Sequence, residues 1–220
     1  MSQIQERGST HVYKVNKISK EEMDSMVARC VYEEPPFCNA ACPLKLDTRA
    51  FLKAAADGDF KKALGLYEKI APFPLVLAFG CEAPCEGKCR LGEIGDAVAI
   101  RAIEAAVARY GEVSRGGSVF RMKKRKTVAI LGSGLFPLLL AGELEKKAYP
   151  LTVFCEQADL DAFLRCAAGF LDEEAFALEL KRLRGKDIQF EFSCAIDRAF
   201  VEDKRAASMR SLPSAAPPAR

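Results

Sequence analysis

The stretch "RCVYEEPPFCNAACP", residues 29–43, sets three cysteines among prolines, and "CEAPCEGKCRLG", residues 81–92, sets three more among glycines and prolines. Neither has the alternation of a strand or the sustained 3.6-residue period of a long helix, so both read as turn-rich loops. Closely spaced thiolates in irregular chain are what an iron–sulfur cube needs, because soft donors must be wrapped around it from several directions. "CNAACP" ends in C-x3-C-P, the close of the bacterial ferredoxin run, whose last cysteine serves the other cluster of a pair. Cys42 is expected to do the same. Six thiolates supply three ligands to each of two clusters and leave one position on each to another donor. Zinc sites are one alternative, although zinc spacing usually begins C-x2-4-C and neither group pairs neatly that way. Buried inert thiols are the other.

The wider composition agrees with a redox or metal role. Nine cysteines are many for a cytoplasmic chain, where thiols stay reduced and disulfides are rare. A formal charge of +3, from 33 basic and 30 acidic residues, is too mild to point to nucleic acid. No signal-like leader opens the chain and its apolar runs are shorter than a membrane span, so a cytoplasmic location is expected. Half the residues are apolar, enough for a packed core over 220 residues.

Two regions follow from the patterning. Residues 1–18 read as an extended arm, and "SKEE" then supplies a capping box with Ser19 as N-cap and Glu22 three residues on. Helices are expected over 48–56 after Asp47, over 60–70 after Asp59, and from Asp96 as N-cap through "AVAIRAIEAAVARY" to Gly111. Residues 19–113 thus form a helical domain carrying six cysteines, and 114–126, containing "RMKKRK", a flexible basic linker. From 127 to 203 the pattern changes to strand (127–131), glycine turn, helix (135–147), strand (151–155), helix (173–183) and strand (188–192), the start of an α/β unit. Residues 204–220 read as a disordered tail. The expected class is α+β, an all-helical domain followed by an incomplete Rossmann-like unit.

The ordered series "RC", "CNAACP", "FLKAAADGDFKKAL", "PFP", "CEAPCEGKCRLG" and "VAIRAIE" resembles the N-terminal double-cluster domain shared by the glutamate synthase small subunit, dihydropyrimidine dehydrogenase and the NADPH-binding subunit of ferredoxin-dependent transhydrogenases. The resemblance implies two 4Fe–4S clusters with interleaved ligands, Cys30, Cys38 and Cys89 on one and Cys42, Cys81 and Cys85 on the other. Where the family has its second cysteine, this chain has Glu33, a harder donor that suits iron less well and implies a more labile cube. A solvated Glu33 is the other reading. The family fills the open place on the other cluster with a Gln or Glu that matches Glu104. Ile100, Ile103, Glu104 and Val107 share one helical face, so this carboxylate sits among apolar residues and needs a partner. An i,i+3 ion pair with Arg101 is the alternative role.

"TVAILGSGLFPLLLAG" opens as a dinucleotide fold does, with strand, G-x-G turn and helix, and in the family this is where FAD binds. Gly132, Ser133, Gly134 and Glu156 are the candidate contacts. Pro137 stands at the third glycine's position, and Cys155 at the family's acidic position, with Glu156 one residue on. A half-Rossmann scaffold kept for packing is the alternative. No catalytic residue is assigned, and His11, the only histidine, reads as solvated.

The resemblance implies an electron-transfer subunit docked on a larger flavoprotein or NAD(P)H-binding subunit, in a multi-subunit complex such as an electron-bifurcating one. An FAD-binding enzyme subunit completed by a partner, and a zinc-stabilised adaptor, are the rivals. Glu33→Cys tests the departure in the first cluster: a changed cluster spectrum is expected, and an unchanged one removes Glu33 as a ligand.

Overall fold

A computed structural model describes residues 18–28, 36–111 and 122–210, without the side chains of 207–210. Most of the N-terminal arm, Arg29, Cys30, Glu33, residues 112–121 of the linker region and the last ten residues lie outside the described residues. The class is α+β. The chain divides into two compact units, residues 1–115 with 170–175, and residues 116–169 with 176–220.

The first unit is built from short, individually capped helices. Helix α1 (Lys20–Ala28) starts on the expected capping box, with the Glu22 N–H donating to Ser19 Oγ at 3.1 Å and the Ser19 N–H to Glu22 Oε2 at 2.7 Å. Helix α2 (Phe37–Ala41) follows Pro36, which cannot continue a helix backwards. Helices α3 (Thr48–Ala56) and α4 (Phe60–Glu68) begin on Asp47 and Asp59, whose carboxylates accept the Ala50 and Lys62 N–H groups. Helix α5 (Pro74–Gly80) uses proline at its first position, where a missing N–H costs nothing. After two 3-10 turns, Glu86–Lys88 and Arg90–Glu93, comes α6 (Ile100–Tyr110).

Phe51, Leu64, Tyr67, Ile100, Ile103 and Val107 are among the side chains that close the core, with Met23 and Val27 added by α1. Burying each large apolar side chain contributes roughly 1.5–3 kcal/mol against the entropy of ordering the chain. Gly111 ends α6 for a reason other than a left-handed turn, since its φ is −67°. A Cβ there would stand 2.5 Å from the Val107 carbonyl oxygen and 3.1 Å from Leu64.

The second unit is a three-stranded parallel sheet in the order β1-β2-β3, from β1 (Val128–Leu131), β2 (Leu151–Phe154) and β3 (Gln189–Glu191). The registers are Val128↔Leu151 and Thr152↔Gln189. Parallel pairing needs crossovers, supplied by α7 (Leu135–Lys146) between β1 and β2 and by α8 (Leu160–Ala168) and α9 (Glu173–Arg184) between β2 and β3. Gly132 and Gly134 have φ of +112° and +100°, so the turn into α7 requires glycine at both places. Pro137 lies buried in the first turn of α7, where its absent N–H is tolerated.

Two expectations are corrected. Asp96 is exposed and is not the N-cap of α6. The helix starts at Ile100 with Ala99 at the N-cap, three residues after Asp96, because Glu86 supplies the capping oxygen from the preceding loop, accepting the Arg101 N–H at 2.8 Å. The tail does not begin at residue 204, since α10 runs Arg198–Arg210. Asp197 caps it by accepting the Phe200 N–H at 2.8 Å, and the Phe200 ring meets Phe154 edge-on at 5.6 Å. The basic linker is also anchored at its end, where the Lys124 N–H donates to the Ala148 carbonyl.

Gly111→Ala is expected to cost about 1–3 kcal/mol by overpacking. Chemical denaturation of the two proteins checks this, and equal midpoints would contradict the close approach at Val107.

Candidate metal centre

The cysteines are delivered by the ends of short elements. In α2, Cys38 lies one turn before the C-cap Cys42, whose N–H donates to the Cys38 carbonyl at 3.1 Å. The Asn39 side chain accepts the Thr48 N–H at 2.9 Å, pinning α2 to the start of α3. Cys81 caps α5, and the chain then turns through Ala83, which holds a left-handed φ of 51° with its N–H on Cys81 Sγ at 3.3 Å. A non-glycine residue in that conformation costs roughly 1–2 kcal/mol, so surrounding contacts must hold it there. Cys85 precedes the first 3-10 turn, and Cys89 separates the two. The Val98 N–H points at Cys89 Sγ at 3.5 Å.

Helix α6 is locked to this loop twice. Glu86 accepts the Arg101 N–H, and the Arg101 guanidinium donates to the Cys81 carbonyl at 3.0 Å. The lock sets the depth of Glu104, which is 7% exposed and accepts a 3.0 Å hydrogen bond at Oε2 from the hydroxyl of Tyr67, itself fully buried. Arg101 acts on Glu104 through its charge, while Tyr67 supplies the hydrogen bond.

Cys85 and Glu104 are buried, Cys42 and Cys81 are half-buried, and the four lie close enough for Glu104 and Cys42 to act on the Cys81 and Cys85 thiols. Burial pushes the Cys85 thiol up to about 12, helped by the charges of Glu104, Glu86, Cys81 and Cys42. Burial raises Cys81 as well, against the Ala83 N–H bond that favours its thiolate, and Glu104 and Cys42 raise it further. Glu104 itself is pushed up to about 7 by burial and by the Glu86 charge, with the Tyr67 bond and Arg101 acting in the opposite direction. Two thiols and a carboxyl whose ionisation is hindered out of water fit a group that brings compensating positive charge. The eight cysteines among the described residues are all free thiols. No three His, Cys, Asp or Glu side chains among the described residues gather tightly enough for a single ion. A cube differs in that each donor meets its own iron, so its ligands stand apart around it.

Of the first expected set, Cys38 and Cys89 pack against the same core, with α2 against the first 3-10 turn, and Cys30 and Glu33 lie outside the described residues. In the other unit, Gly132, Ser133 and Gly134 form the turn into α7, and the Ser133 hydroxyl donates to the Gln157 side chain. Glu156 is exposed and Cys155 buried. Tyr67 and Glu86 were not among the expected site residues. Tyr67 reads as one more apolar position in the period Phe60, Ala63, Leu64, Tyr67, and its signal is that a buried phenol needs a partner.

Comparisons with known proteins bear on the cysteine-bearing part of the chain. Residues 8–115 match the family model described as dihydropyrimidine dehydrogenase domain II, 4Fe–4S cluster. The chain is 31% identical over 141 residues to the NADP(+)-dependent formate dehydrogenase subunit beta of Moorella thermoacetica, covering 53% of this chain and 20% of that one. It is 33% identical over 153 residues to the glutamate synthase (NADPH) small chain of Bacillus subtilis, covering 64% and 31% respectively. The NADPH-Fe(3+) oxidoreductase subunit beta of Geobacter sulfurreducens is 29% identical over 119 residues, covering 53% and 18%. The chain therefore spans a third or less of the length of these curated relatives. A match to 64% of this chain is longer than residues 1–115, so that likeness runs on into the α/β unit. Among the described residues no helix is long and apolar enough to cross a membrane.

The raised Glu104 carboxyl predicts a pH dependence for the cluster-free chain. Its ordinary value is 4.5 and its folded value about 7, so in between the folded state keeps a proton that the unfolded state has lost. Stability is then highest below 4.5 and falls by about 3 kcal/mol as pH rises to 7. Denaturant titrations across that range check it, with Glu104→Gln expected to flatten the slope.

Proposed function

With residues 8–115 belonging to the dihydropyrimidine dehydrogenase domain II family of 4Fe–4S domains, we propose that the chain is the iron–sulfur electron-transfer subunit of an NAD(P)H- or ferredoxin-linked flavoprotein complex in the cytoplasm. The observation that carries the reading is that Cys85 and Cys42 pack on the core beside the buried Glu104, whose charge, with that of Cys42, raises the Cys81 and Cys85 thiols. These four would hold one cluster. Cys38 and Cys89, with Cys30 and Glu33, would hold the other. When bound, the two clusters supply one-electron transfer steps.

The residues around them have defined tasks. Tyr67 occupies one oxygen of Glu104 and leaves the other to a metal. The backbone N–H groups of Ala83 and Val98, directed at the sulfurs of Cys81 and Cys89, would tune their strength as donors to a cluster. Glu86 and Arg101 hold the cysteine loop on α6, so the ligands from 81–89 and from 104 keep their relative places.

The relatives are named as subunits of NADPH- or NADP-linked oxidoreductases and as a glutamate synthase small chain, and this supports a larger redox partner for the present chain. A second reading gives the chain its own FAD. It is favoured by the two positive-φ glycines at the start of α7, where Gly132, Ser133, Gly134 and Glu156 would meet the cofactor.

Anaerobic purification followed by iron and acid-labile sulfide analysis tests the proposal. About eight of each per chain is expected for two cubes, about four would reduce the relay to one, and zinc without sulfide would end the electron-transfer reading. Flavin released by acid would favour the second reading.

A further inference from the structure

Three thiols lie outside the metal centre, Cys155, Cys166 and Cys194, and two of them meet where the sheet ends. Strands β2 and β3 stop side by side, Phe154 opposite Glu191. The Cys155 N–H continues the ladder by donating to the Glu191 carbonyl at 3.0 Å. Ser193 then takes a left-handed φ of 55° and turns the chain back, so that the Cys194 N–H donates to the Cys155 carbonyl at 2.9 Å.

Both side chains converge on one atom. The Glu191 carbonyl oxygen accepts from Cys155 Sγ at 3.7 Å and from Cys194 Sγ at 3.3 Å. The sulfurs cannot be farther apart than those two distances laid end to end. The Cys194 N–H bond to the Cys155 carbonyl sets the two backbones side by side, and with both sulfurs on one oxygen the movement needed to join them is side-chain rotation. A carbonyl oxygen has two lone pairs, and here three donors address it. The ladder N–H keeps its bond on oxidation, and the thiols give up only weak S–H contacts.

We propose that Cys155 and Cys194 are a dithiol–disulfide pair, oxidised by exchange with a small-molecule disulfide and closing the ends of β2 and β3 beside the glycine turn. The division of labour follows exposure. Cys194 is half-buried and sits at the surface end of the pair, whereas Cys155 is 0% exposed and its burial holds the thiol in the protonated form. Cys194 is therefore the thiol that meets the oxidant.

With oxidised glutathione, the Cys194 sulfur attacks one glutathione sulfur, a mixed disulfide forms, and the departing glutathione thiolate takes up the proton lost by Cys194. The Cys155 sulfur then attacks Cys194 Sγ. The mixed bond breaks, the second glutathione leaves with the proton of Cys155, and two electrons have passed from the two protein thiols to the one small disulfide. The bond reaches the glycine turn through Gln157, whose carbonyl accepts the Ser193 N–H at 2.8 Å and whose side chain accepts from Ser133.

The test equilibrates the full chain, clusters retained, in anaerobic glutathione buffers of increasing oxidised fraction, blocks remaining thiols by alkylation and maps peptides by mass spectrometry. A Cys155–Cys194 cross-link that grows with the oxidised fraction is expected in the unaltered chain and in Cys166→Ser. Cys155→Ser is expected to stop at a stable glutathione adduct on Cys194, and Cys194→Ser to show neither cross-link nor adduct at Cys155. Alkylation of both thiols at every ratio, an adduct on Cys194 that persists in the unaltered chain, or a cross-link from Cys194 to Cys166 would each overturn the proposal.

Discussion

A carboxyl group in the middle of a helical core has to be answered by another polar group, and in this protein Tyr67 answers Glu104. The 3.0 Å bond joins α4 to α6 at the centre of the first unit, with Phe51 packed against the phenol ring at 5.7 Å. Removing the hydroxyl would leave a buried oxygen without that donor, at a cost of about 1–3 kcal/mol. Helix α6 must therefore enter at one depth only. That depth is set by the cysteine loop itself, through Glu86 on the Arg101 N–H and Arg101 on the Cys81 carbonyl. The core and the thiol-bearing loop are one mechanical assembly, and the loop's irregular backbone, including the left-handed Ala83, is held by the same contacts that place Glu104.

The second unit answers to a different constraint. Its parallel strands leave backbone groups at the strand ends that crossovers do not pair, and these are satisfied by returning chain: Cys155 on Glu191, Cys194 on Cys155 and Ser193 on Gln157. The acidic side chain expected at the end of the second strand of a dinucleotide fold is replaced there by a buried thiol, and Glu156 beside it faces outward. The glycine turn keeps its backbone form while the residues around it take up other partners.

What could be read from sequence followed from how local each determinant is. The capping box at Ser19 and the caps at Asp47 and Asp59 involve residues three apart, and they stand as expected. The start of α6 was misplaced because its cap comes from Glu86, fifteen residues before Arg101, and no local pattern announces such a bond. Helix α5 was hidden in a run too apolar to show a period, and α8 in a stretch read as connection. Within the candidate centre, Cys42, Cys81, Cys85 and Glu104 were visible by spacing and resemblance. Tyr67 was not, because its hydroxyl's partner is thirty-seven residues away, on a face recognisable only after α4 and α6 are packed.

The parallel register also bears on how the two units come to be folded. The first unit is assembled from helices of five to eleven residues, and its packing joins elements both near and far in sequence, from α3 on α4 to the Tyr67–Glu104 bond across thirty-seven residues. The sheet has no hairpin to start from. Its first ladder needs residue 128 brought to 151 and its second needs 152 brought to 189, so each pairing closes a loop that carries one or two helices. The longer closure is only about 0.4 kcal/mol worse in chain entropy, which leaves β2, shared by both ladders, as the element on which assembly waits. In a chain emerging from the ribosome the first unit would itself stay incomplete until residues 170–175, which follow β2, had been made.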